Sequence, residues 1–323
     1  MHKDKPIEEI IKNIEDKNSF LVVAHENPDG DAIGSMGAIY YILKKLNKDV
    51  VLFNKSNIPE RFYYLEFVKN INSFLKKTDY DTVIVLDSGE LSRTGLAIDN
   101  LKYECIINID HHVTNDYFGD INWVDPKMSS VGEMIAYIAK EINIELKDKL
   151  AECIYTSIVS DTGSFTFSNT RPATLRIVIE ILENGFDLDD FNRKYQRYWT
   201  LNKVHLHGLS MQNAKLYLDG QLGIISISKD MLERTSTTKE DCEGIINYLR
   251  VIKGVKVAAT LREDDDRVKV SLRSYGEVDV SNIAKGLNGG GHKNAAGGSI
   301  FLPLQQAEKF LVNKVEEFLL ENS

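Results

Sequence analysis

The chain has 323 residues and a formal net charge of −9, so it can bury the cores of two domains and carries no broad basic surface for long nucleic acid. Its three cysteines form no C-x-x-C pair, which fits a reducing compartment and excludes a disulfide framework. No stretch approaches the roughly 20 apolar residues that cross a bilayer, and residues 1–16 lack the apolar core of a signal peptide. We therefore expect a cytoplasmic protein that does not enter membranes.

The first half of the chain alternates strand-like and helix-like segments. Continuous apolar runs are typical of strands buried on both faces, and four are predicted, at 20–24, 50–53, 82–86 and 105–109. Apolar residues at helical spacing predict an opening helix and further helices, namely one to about Leu46, others over 60–76 and 148–160, one capped by Ser129 or Ser130, and one capped by Thr170 with Pro172 in its first turn. This alternation predicts an α/β fold in which helices cover both faces of a parallel sheet.

The second half of the chain has a different pattern. Residues 191–215 are polar and aromatic, which predicts a helical linker, and His205 and His207 are expected to be linker residues rather than ligands. Beyond it, alternating apolar residues predict a smaller α/β domain with a mixed sheet, including a hairpin of 255–261 and 267–274. We therefore expect domains at 1–190 and 216–323, joined by the linker.

Acidic and histidine side chains stand where the predicted strands and one predicted helix end: His25, Asp29 and Asp31; Asp87; Asp110, His111 and His112; and Asp161. Because the carboxyl ends of parallel strands lie along one edge of a sheet, these groups can converge. Taken alone, Pro-Asp-Gly-Asp is a common turn. A calcium loop would need a glutamate at its twelfth position, where Ala38 or Tyr40 stands, so calcium is disfavoured.

Carboxylates brought together in this way repel one another unless cations neutralise them. The set is large enough to hold two divalent ions with one carboxylate shared between them. Oxygen-rich ligation without thiolates favours Mn²⁺ or Mg²⁺ over structural zinc. Two such ions suit the cleavage of phosphate esters, because together they generate a hydroxide and stabilise both the attacking and the leaving oxygen.

Six motifs in chain order carry a resemblance to a known family. H-E-N-P-D-G-D, V-L-D-S-G, I-D-H-H and S-D-T-G-S-F resemble the four motifs of the DHH phosphoesterases. S-L-R-S followed by G-G-G-H-K-N-A-A-G-G resembles the DHH-associated substrate domain. Length and layout are most similar to the branch of bifunctional oligoribonucleases and 3′-phosphoadenosine-5′-phosphate (pAp) phosphatases.

The resemblance implies two Mn²⁺ ions, with Mg²⁺ or Co²⁺ as substitutes. It assigns the ligands as follows: His25 and Asp29 to one ion, Asp31, His111 and Asp161 to the other, and Asp87 to both. Asp110 would orient the imidazoles from behind. His112 would face the substrate phosphate, either polarising it or assisting the leaving oxygen.

The resemblance also implies a substrate-binding role for the second domain. Arg273, next to Ser274 at the end of a strand, can grip a phosphate through its planar guanidinium. Gly290 and Gly291 allow backbone N–H groups to approach a phosphate closely, with His292 beside them.

The expected activity is hydrolysis of short RNA oligomers to mononucleotides and dephosphorylation of pAp to AMP. A phosphodiesterase for cyclic di-AMP or linear dinucleotides is the alternative. A manganese pyrophosphatase would not be expected to carry G-G-G-H, a complete ligand set argues against a non-catalytic nucleotide sensor, and the acidic balance disfavours a RecJ-type exonuclease. No long-duplex nucleic acid is expected as a partner. The oligomeric state, for which a homodimer is one candidate, is left open by the sequence.

Overall fold

The computed structural model describes residues 5–196 and 199–321. The chain divides into two compact units, one that ends at Tyr198 and one that begins at Trp199. Helices occupy most of the range 191–215 that the sequence marks as a linker.

The first unit is built on a six-stranded parallel sheet. Its strands are β1 Ser19–Ala24, β2 Asp49–Phe53, β3 Ile71–Asn72, β4 Thr82–Leu86, β5 Cys105–Asp110 and β6 Ile121–Val124. They lie in the order β3-β2-β1-β4-β5-β6, so the strand order reverses between β1 and β4. In open α/β sheets, ligands bind outside the carboxyl ends of the strands at this point.

The α-helices described in this unit are α1 Lys5–Asp16, α2 Gly30–Lys45, α3 Val131–Glu141, α4 Asp148–Asp161, α5 Pro172–Glu183 and α6 Leu188–Gln196. Both faces of β1 are covered, because Val22 packs in one buried cluster and Val23 in another. This explains the continuous apolar run in the sequence. Helices α2 and α4 approach closely at Gly34, where a Cβ atom would lie 2.5 Å from Cys153 O.

Three details of the sequence-based prediction need correction. Residues 60–76 do not form an α-helix, since Phe62 and Phe67 are buried from short 3₁₀ turns and β3 pairs with β2 instead. Strand β6 was not predicted, because it is a short edge strand in which Trp123 is the buried residue. Arg171, not Thr170, is the N-cap residue of α5. The predicted cap Ser130 is confirmed, since its Oγ accepts a hydrogen bond from Glu133 N at 3.1 Å.

The second unit contains a six-stranded mixed sheet in the order β11-β12-β10-β9-β8-β7. Its strands are β7 Ala214–Tyr217, β8 Leu222–Ile227, β9 Val257–Glu263, β10 Val268–Ser274, β11 Gly290–His292 and β12 Ala295–Ile300. Among the described strands of this sheet, β8 and β9 pair in parallel and the other neighbours pair antiparallel, and the predicted hairpin of β9 and β10 is confirmed. The helices of this unit are α7 Leu201–Gln212, α8 Lys229–Thr235, α9 Ile246–Arg250, α10 Val280–Lys285 and α11 Leu304–Glu321.

The fold class is therefore confirmed as α/β, with a helix-covered parallel sheet first and a mixed sheet after it. Among the helices that the structure describes, none combines the length and the apolar character needed to cross a bilayer.

Candidate metal centre

The predicted ligands of the first unit come together beside the point where the strand order reverses. His25 follows β1, Asp87 follows β4, and His111 follows β5. Asp29 is the N-cap residue of α2, and its Oδ1 accepts hydrogen bonds from the first turn of that helix. Asp161 is the last residue of α4.

These side chains form two separate groups of ligand atoms, and Asp87, His111 and His112 form a third that overlaps both. In the first group, His25 Nε2 lies 3.5 Å from Asp87 Oδ2 and 4.0 Å from Asp29 Oδ1. In the second group, His111 Nε2 lies 3.5 Å from Asp31 Oδ2 and 3.6 Å from Asp161 Oδ2. These distances exceed those of hydrogen bonds, and metal–ligand bonds of about 2.0–2.2 Å leave this much room between two ligands of one ion. Each group therefore has the spacing of a cation site.

Asp87 lies between the two groups. Its Oδ2 faces His25, while its Oδ1 lies 3.8 Å from His111 Nε2. The side chain is buried, and Oδ1 has no hydrogen-bond partner among the described residues. The backbone adopts φ 52°, in the left-handed region that aspartate enters more readily than most other non-glycine residues. Burial and the charges of Asp31 and Asp29 raise the pKa of Asp87 well above its ordinary value, so a bound cation would relieve this repulsion.

The electrostatics of the second group also favour a positive charge. Burial alone would lower the pKa of His111, but the carboxylates of Asp161, Asp31 and Asp87 outweigh it and raise the pKa to about 10. An imidazole surrounded by carboxylates holds a proton when no cation is present. The donor set of nitrogen and oxygen atoms thus fits divalent cations such as Mn²⁺.

The N-terminus of α3 fixes the orientation of Asp31. Its Oδ2 accepts a hydrogen bond from Val131 N at 2.8 Å, and its Oδ1 accepts bonds from Gly132 N at 3.3 Å and from Ser157 Oγ at 2.6 Å. Backbone N–H groups at a helix N-terminus stabilise a carboxylate. Asp31 is therefore held in place before any cation binds.

Backbone carbonyls set the tautomers of the two ligand histidines. His25 Nδ1 donates to Glu26 O at 2.8 Å, and His111 Nδ1 donates to Met128 O at 3.1 Å. In both rings Nε2 is the nitrogen that faces the carboxylates, as expected for metal-binding histidines.

His112 pairs with Asp110 instead of a backbone carbonyl. Its Nδ1 donates to Asp110 Oδ1 at 2.6 Å, and Asn115 Nδ2 donates to Asp110 Oδ2 at 2.6 Å. Burial opposes ionisation of Asp110, but these hydrogen bonds and the His112 charge lower its pKa to about 2. Because His112 Nδ1 also lies 3.7 Å from Asp87 Oδ1, this pair adjoins the two groups. Asn115 was missed in the sequence, where an asparagine in a polar loop indicates only a turn.

The predicted substrate-binding residues of the second unit lie at one end of its sheet. Arg273 in β10 and His292 in β11 pair with Ala295 from opposite sides. The His292 side chain lies outside the described part of the structure. Arg273 Nη1 donates to Leu272 O at 2.9 Å. The Ser274 side chain is buried and donates to Val278 O at 2.6 Å, so it shapes this loop.

Strand β11 is an edge strand rich in glycine. Gly291 has φ 143°, and a Cβ atom there would lie 2.5 Å from Ala295 O, so the fold requires glycine at this position. A Cβ atom at Gly290 would meet nothing within 4 Å. The backbone at Gly290 is therefore open to approach from outside the sheet.

The contacts of the linker histidine His207 are those of a structural residue and not of a metal ligand. It is buried, its Nδ1 lies 3.0 Å from Tyr248 Oη, and its Nε2 lies 2.9 Å from Asp241 O. Within the described residues, it belongs to none of the groups suited to a metal ion.

The sequence matches two domains of one family. Residues 19–158 match the N-terminal domain of the DHH family, and residues 224–321 match the DHHA1 domain. The chain is 31% identical over 320 residues to the bifunctional oligoribonuclease and PAP phosphatase NrnA of Thermus thermophilus, in a match that covers 98% of this chain and 94% of that one. It is 34% identical over 301 residues to the protein of the same name from Bacillus subtilis, covering 91% and 93%.

A solved structure has the same fold. The crystal structure of an exopolyphosphatase-related protein from Bacteroides fragilis matches with a TM-score of 0.92 and 29% identity, and the match covers 98% of both chains. The resemblance seen in the sequence motifs is thus confirmed, and the chain belongs to the DHH family of phosphoesterases, with a DHH domain followed by a DHHA1 domain.

Proposed function

We propose that this protein hydrolyses short oligoribonucleotides to mononucleotides and dephosphorylates pAp to AMP. The observation that carries the proposal is the position of Asp87, which turns one carboxylate oxygen toward each of two ligand groups. The relatives named as oligoribonucleases and PAP phosphatases match nearly the whole chain, which supports these two substrates. The three cysteines are free thiols, which supports a cytoplasmic location.

In this proposal, His25 and Asp29 hold one cation, Asp31, His111 and Asp161 hold the other, and Asp87 contacts both. Mn²⁺ is the expected ion, with Mg²⁺ or Co²⁺ as substitutes. When bound, two cations supply a hydroxide nucleophile and stabilise charge on the phosphate oxygens. The surrounding residues hold the ligand side chains in position, and the carboxylates keep the site negatively charged. Asp29 and Asp161 are partly exposed, so a substrate can reach the site.

We propose that His112 acts on the substrate and that Asp110 acts through His112. Asp110 holds the proton of His112 on Nδ1, so the ring presents Nε2 in a fixed orientation. With a second proton on Nε2, His112 would polarise the substrate phosphate or donate that proton to the leaving oxygen, and the Asp110 carboxylate would balance the positive charge of the ring.

The predicted domain of residues 1–190, within the first unit, is proposed to be catalytic, and the predicted domain of residues 216–323, within the second unit, is proposed to bind substrate. Arg273 supplies a guanidinium, and the edge strand supplies backbone N–H groups for a phosphate at Gly290, where the backbone is open, and at the adjacent Gly291. His292 is proposed to contact the same phosphate, and Ser274 to hold the loop beside it.

Arg273→Ala is expected to raise KM ten- to a hundred-fold with little change in kcat. A charge-assisted hydrogen bond contributes about 1.5–3 kcal/mol, and a contact that is equal in ground and transition states appears in KM. The matched control is Arg267→Ala, because Arg267 is an exposed arginine that precedes the same strand. Steady-state kinetics on pAp and a diribonucleotide measure the effect. An unchanged KM on both substrates would show that Arg273 does not bind substrate and has a structural role.

Catalytic efficiency is expected to fall as the RNA lengthens. Arg273 and a short backbone edge engage few phosphates, and a net charge of −9 repels the rest of a long strand. If about two phosphates are contacted, binding weakens only about sevenfold between 50 and 200 mM salt. Measurements of kcat/KM on oligoribonucleotides of rising length, at both salt concentrations, test this. Constant efficiency for long RNA with a steep salt dependence would contradict it.

A side-by-side assay tests the proposed substrates. The protein loaded with Mn²⁺ is given pAp, a diribonucleotide and cyclic di-AMP at equal concentrations. We expect turnover of the first two and little of the third. Turnover of cyclic di-AMP alone would replace the proposal with the cyclic dinucleotide alternative, and no turnover of any substrate would contradict it.

A further inference from the structure

An ion pair between a buried glutamate and a partly exposed arginine lies behind one half of the candidate metal centre. Glu133, in the first turn of α3, is fully buried, and its Oε1 accepts a hydrogen bond from Arg171 Nη2 at 2.6 Å. Its Oε2 accepts bonds from Ser129 N at 3.0 Å, from Ser129 Oγ at 2.5 Å and from Thr174 Oγ1 at 2.8 Å. A buried carboxylate is costly unless it is fully paired. Glu133 is fully paired, and it ties loop 128–130 to the start of α5.

The loop anchored in this way orients His111 and Asp31. Met128 O accepts the hydrogen bond from His111 Nδ1 that turns Nε2 toward the carboxylates. Directly after the loop, the N–H groups of Val131 and Gly132 donate to Asp31. A shift of the loop would therefore move the partners of both ligands together.

The same loop contacts the third ligand of this group through Asn169. Asn169 Nδ2 lies within hydrogen-bond distance of Ser129 O at 3.0 Å and of Asp161 Oδ2 at 3.3 Å. Asn169 is two residues from Arg171, so the ion pair holds Ser129 on one side of this contact and the segment that carries Asn169 on the other. All three ligands of the second group thus depend on segments that Glu133 and Arg171 hold.

The ligands of the first group are oriented by other parts of the chain. His25 Nδ1 donates to Glu26 O, and Asp29 accepts from the N–H groups of Asp31 and Ala32 in α2. The two ligand groups are therefore oriented by different segments of the chain. Among the structurally described residues, the side-chain-to-backbone hydrogen bonds that orient the second group lie in the segments that the ion pair joins, and those that orient the first group do not.

We propose that Glu133 and Arg171 are positioning residues for one cation, the one held by Asp31, His111 and Asp161, and that they set its affinity while leaving the other cation unaffected. This inference rests on the proposed function, because it compares the affinities of the two cations that the proposed function requires. Residues behind metal ligands change metal affinity by about 10- to 100-fold when they are altered.

The test measures Mn²⁺ binding to the metal-free, full-length protein by isothermal titration calorimetry. In Glu133→Gln and Arg171→Met, we expect one binding step to weaken about 10- to 100-fold and the other to stay within about twofold of the wild type. Arg171→Lys, which keeps the charge, should fall between the wild type and Arg171→Met. Raising the Mn²⁺ concentration should restore the activity of the variants, which a damaged fold would not allow.

Glu308→Gln is the matched control. Glu308 is a poorly exposed carboxylate in the second unit, and it anchors α11 by accepting from Lys215 Nζ at 2.8 Å and from Ser226 Oγ at 2.6 Å. It should lower thermal stability without changing either Mn²⁺ binding step. If Glu133→Gln fails to fold, the two Arg171 variants carry the test, because that side chain is partly exposed.

The outcomes separate this inference from the proposed function. A wild type that binds two ions, with Arg171 and Glu133 variants that bind both unchanged or lose both equally, overturns the inference alone. A wild type that binds fewer than two ions overturns the two-cation proposal itself.

Discussion

Asp87→Asn is expected to lower kcat by at least about a thousand-fold, which corresponds to roughly 4 kcal/mol of activation free energy. Asp87 presents Oδ2 to His25 and Oδ1 to His111, so one carboxylate serves both ligand groups. An asparagine has one oxygen and no charge. It can serve one group at most, and its NH₂ would face the other group, so both cations should be held more weakly.

Metal analysis and thermal unfolding distinguish this loss from misfolding. Because the change is isosteric, the variant should fold, but it should retain fewer than two ions. Asp99→Asn, at an exposed position of the same unit, is the control and should behave as the wild type. Two tightly held ions with near-normal activity in Asp87→Asn would remove Asp87 from the site.

Asp110→Asn is expected to lower kcat by about 10²- to 10⁴-fold, as changes that impose the wrong histidine tautomer do elsewhere. Asn115 donates to Oδ2 of Asp110, so an asparagine at 110 would place its oxygen there and turn its NH₂ toward His112. The NH₂ group would donate to Nδ1 of His112. Nδ1 would then be unprotonated, so the ring could hold only an Nε2 proton and could not become the imidazolium that the Asp110 carboxylate stabilises.

Metal content should be nearly unchanged in Asp110→Asn, which separates its effect from that of Asp87→Asn. Kinetics on pAp at saturating Mn²⁺ measure the loss in kcat. Asp116→Asn, an exposed neighbour in the same loop, serves as the control. Wild-type kcat in Asp110→Asn would show that the tautomer of His112 does not matter for the reaction.

The strands of the parallel sheet were predictable where both of their faces are buried. Strands β1, β4 and β5 are covered on both faces, so their sequences are continuous apolar runs that are hard to misread. The segment 60–76 was misassigned because burying Phe62, Leu65 and Phe67 from 3₁₀ turns leaves a sequence pattern similar to that of a helix. Tertiary packing determines whether this segment forms 3₁₀ turns or an α-helix, and the local sequence pattern carries no information about that packing.

The candidate ligands were predictable because chain order and sheet topology together locate them. Each directly follows a strand, lies at the start of the helix after a strand, or ends a helix, and parallel strands bring these positions to one edge. The residues behind them were not predictable. Asn115 and the Glu133–Arg171 pair meet the site only through the folded chain, and each has an ordinary local role as a turn residue, a first-turn acid or a helix cap.

A crystal of the wild-type protein grown with Mn²⁺, measured at the manganese absorption edge, tests the central claim most directly. The account predicts two anomalous peaks, one among His25, Asp29 and Asp87 and the other among Asp31, His111 and Asp161, with Asp87 contacting both. A single peak, or two peaks that Asp87 does not join, would contradict it.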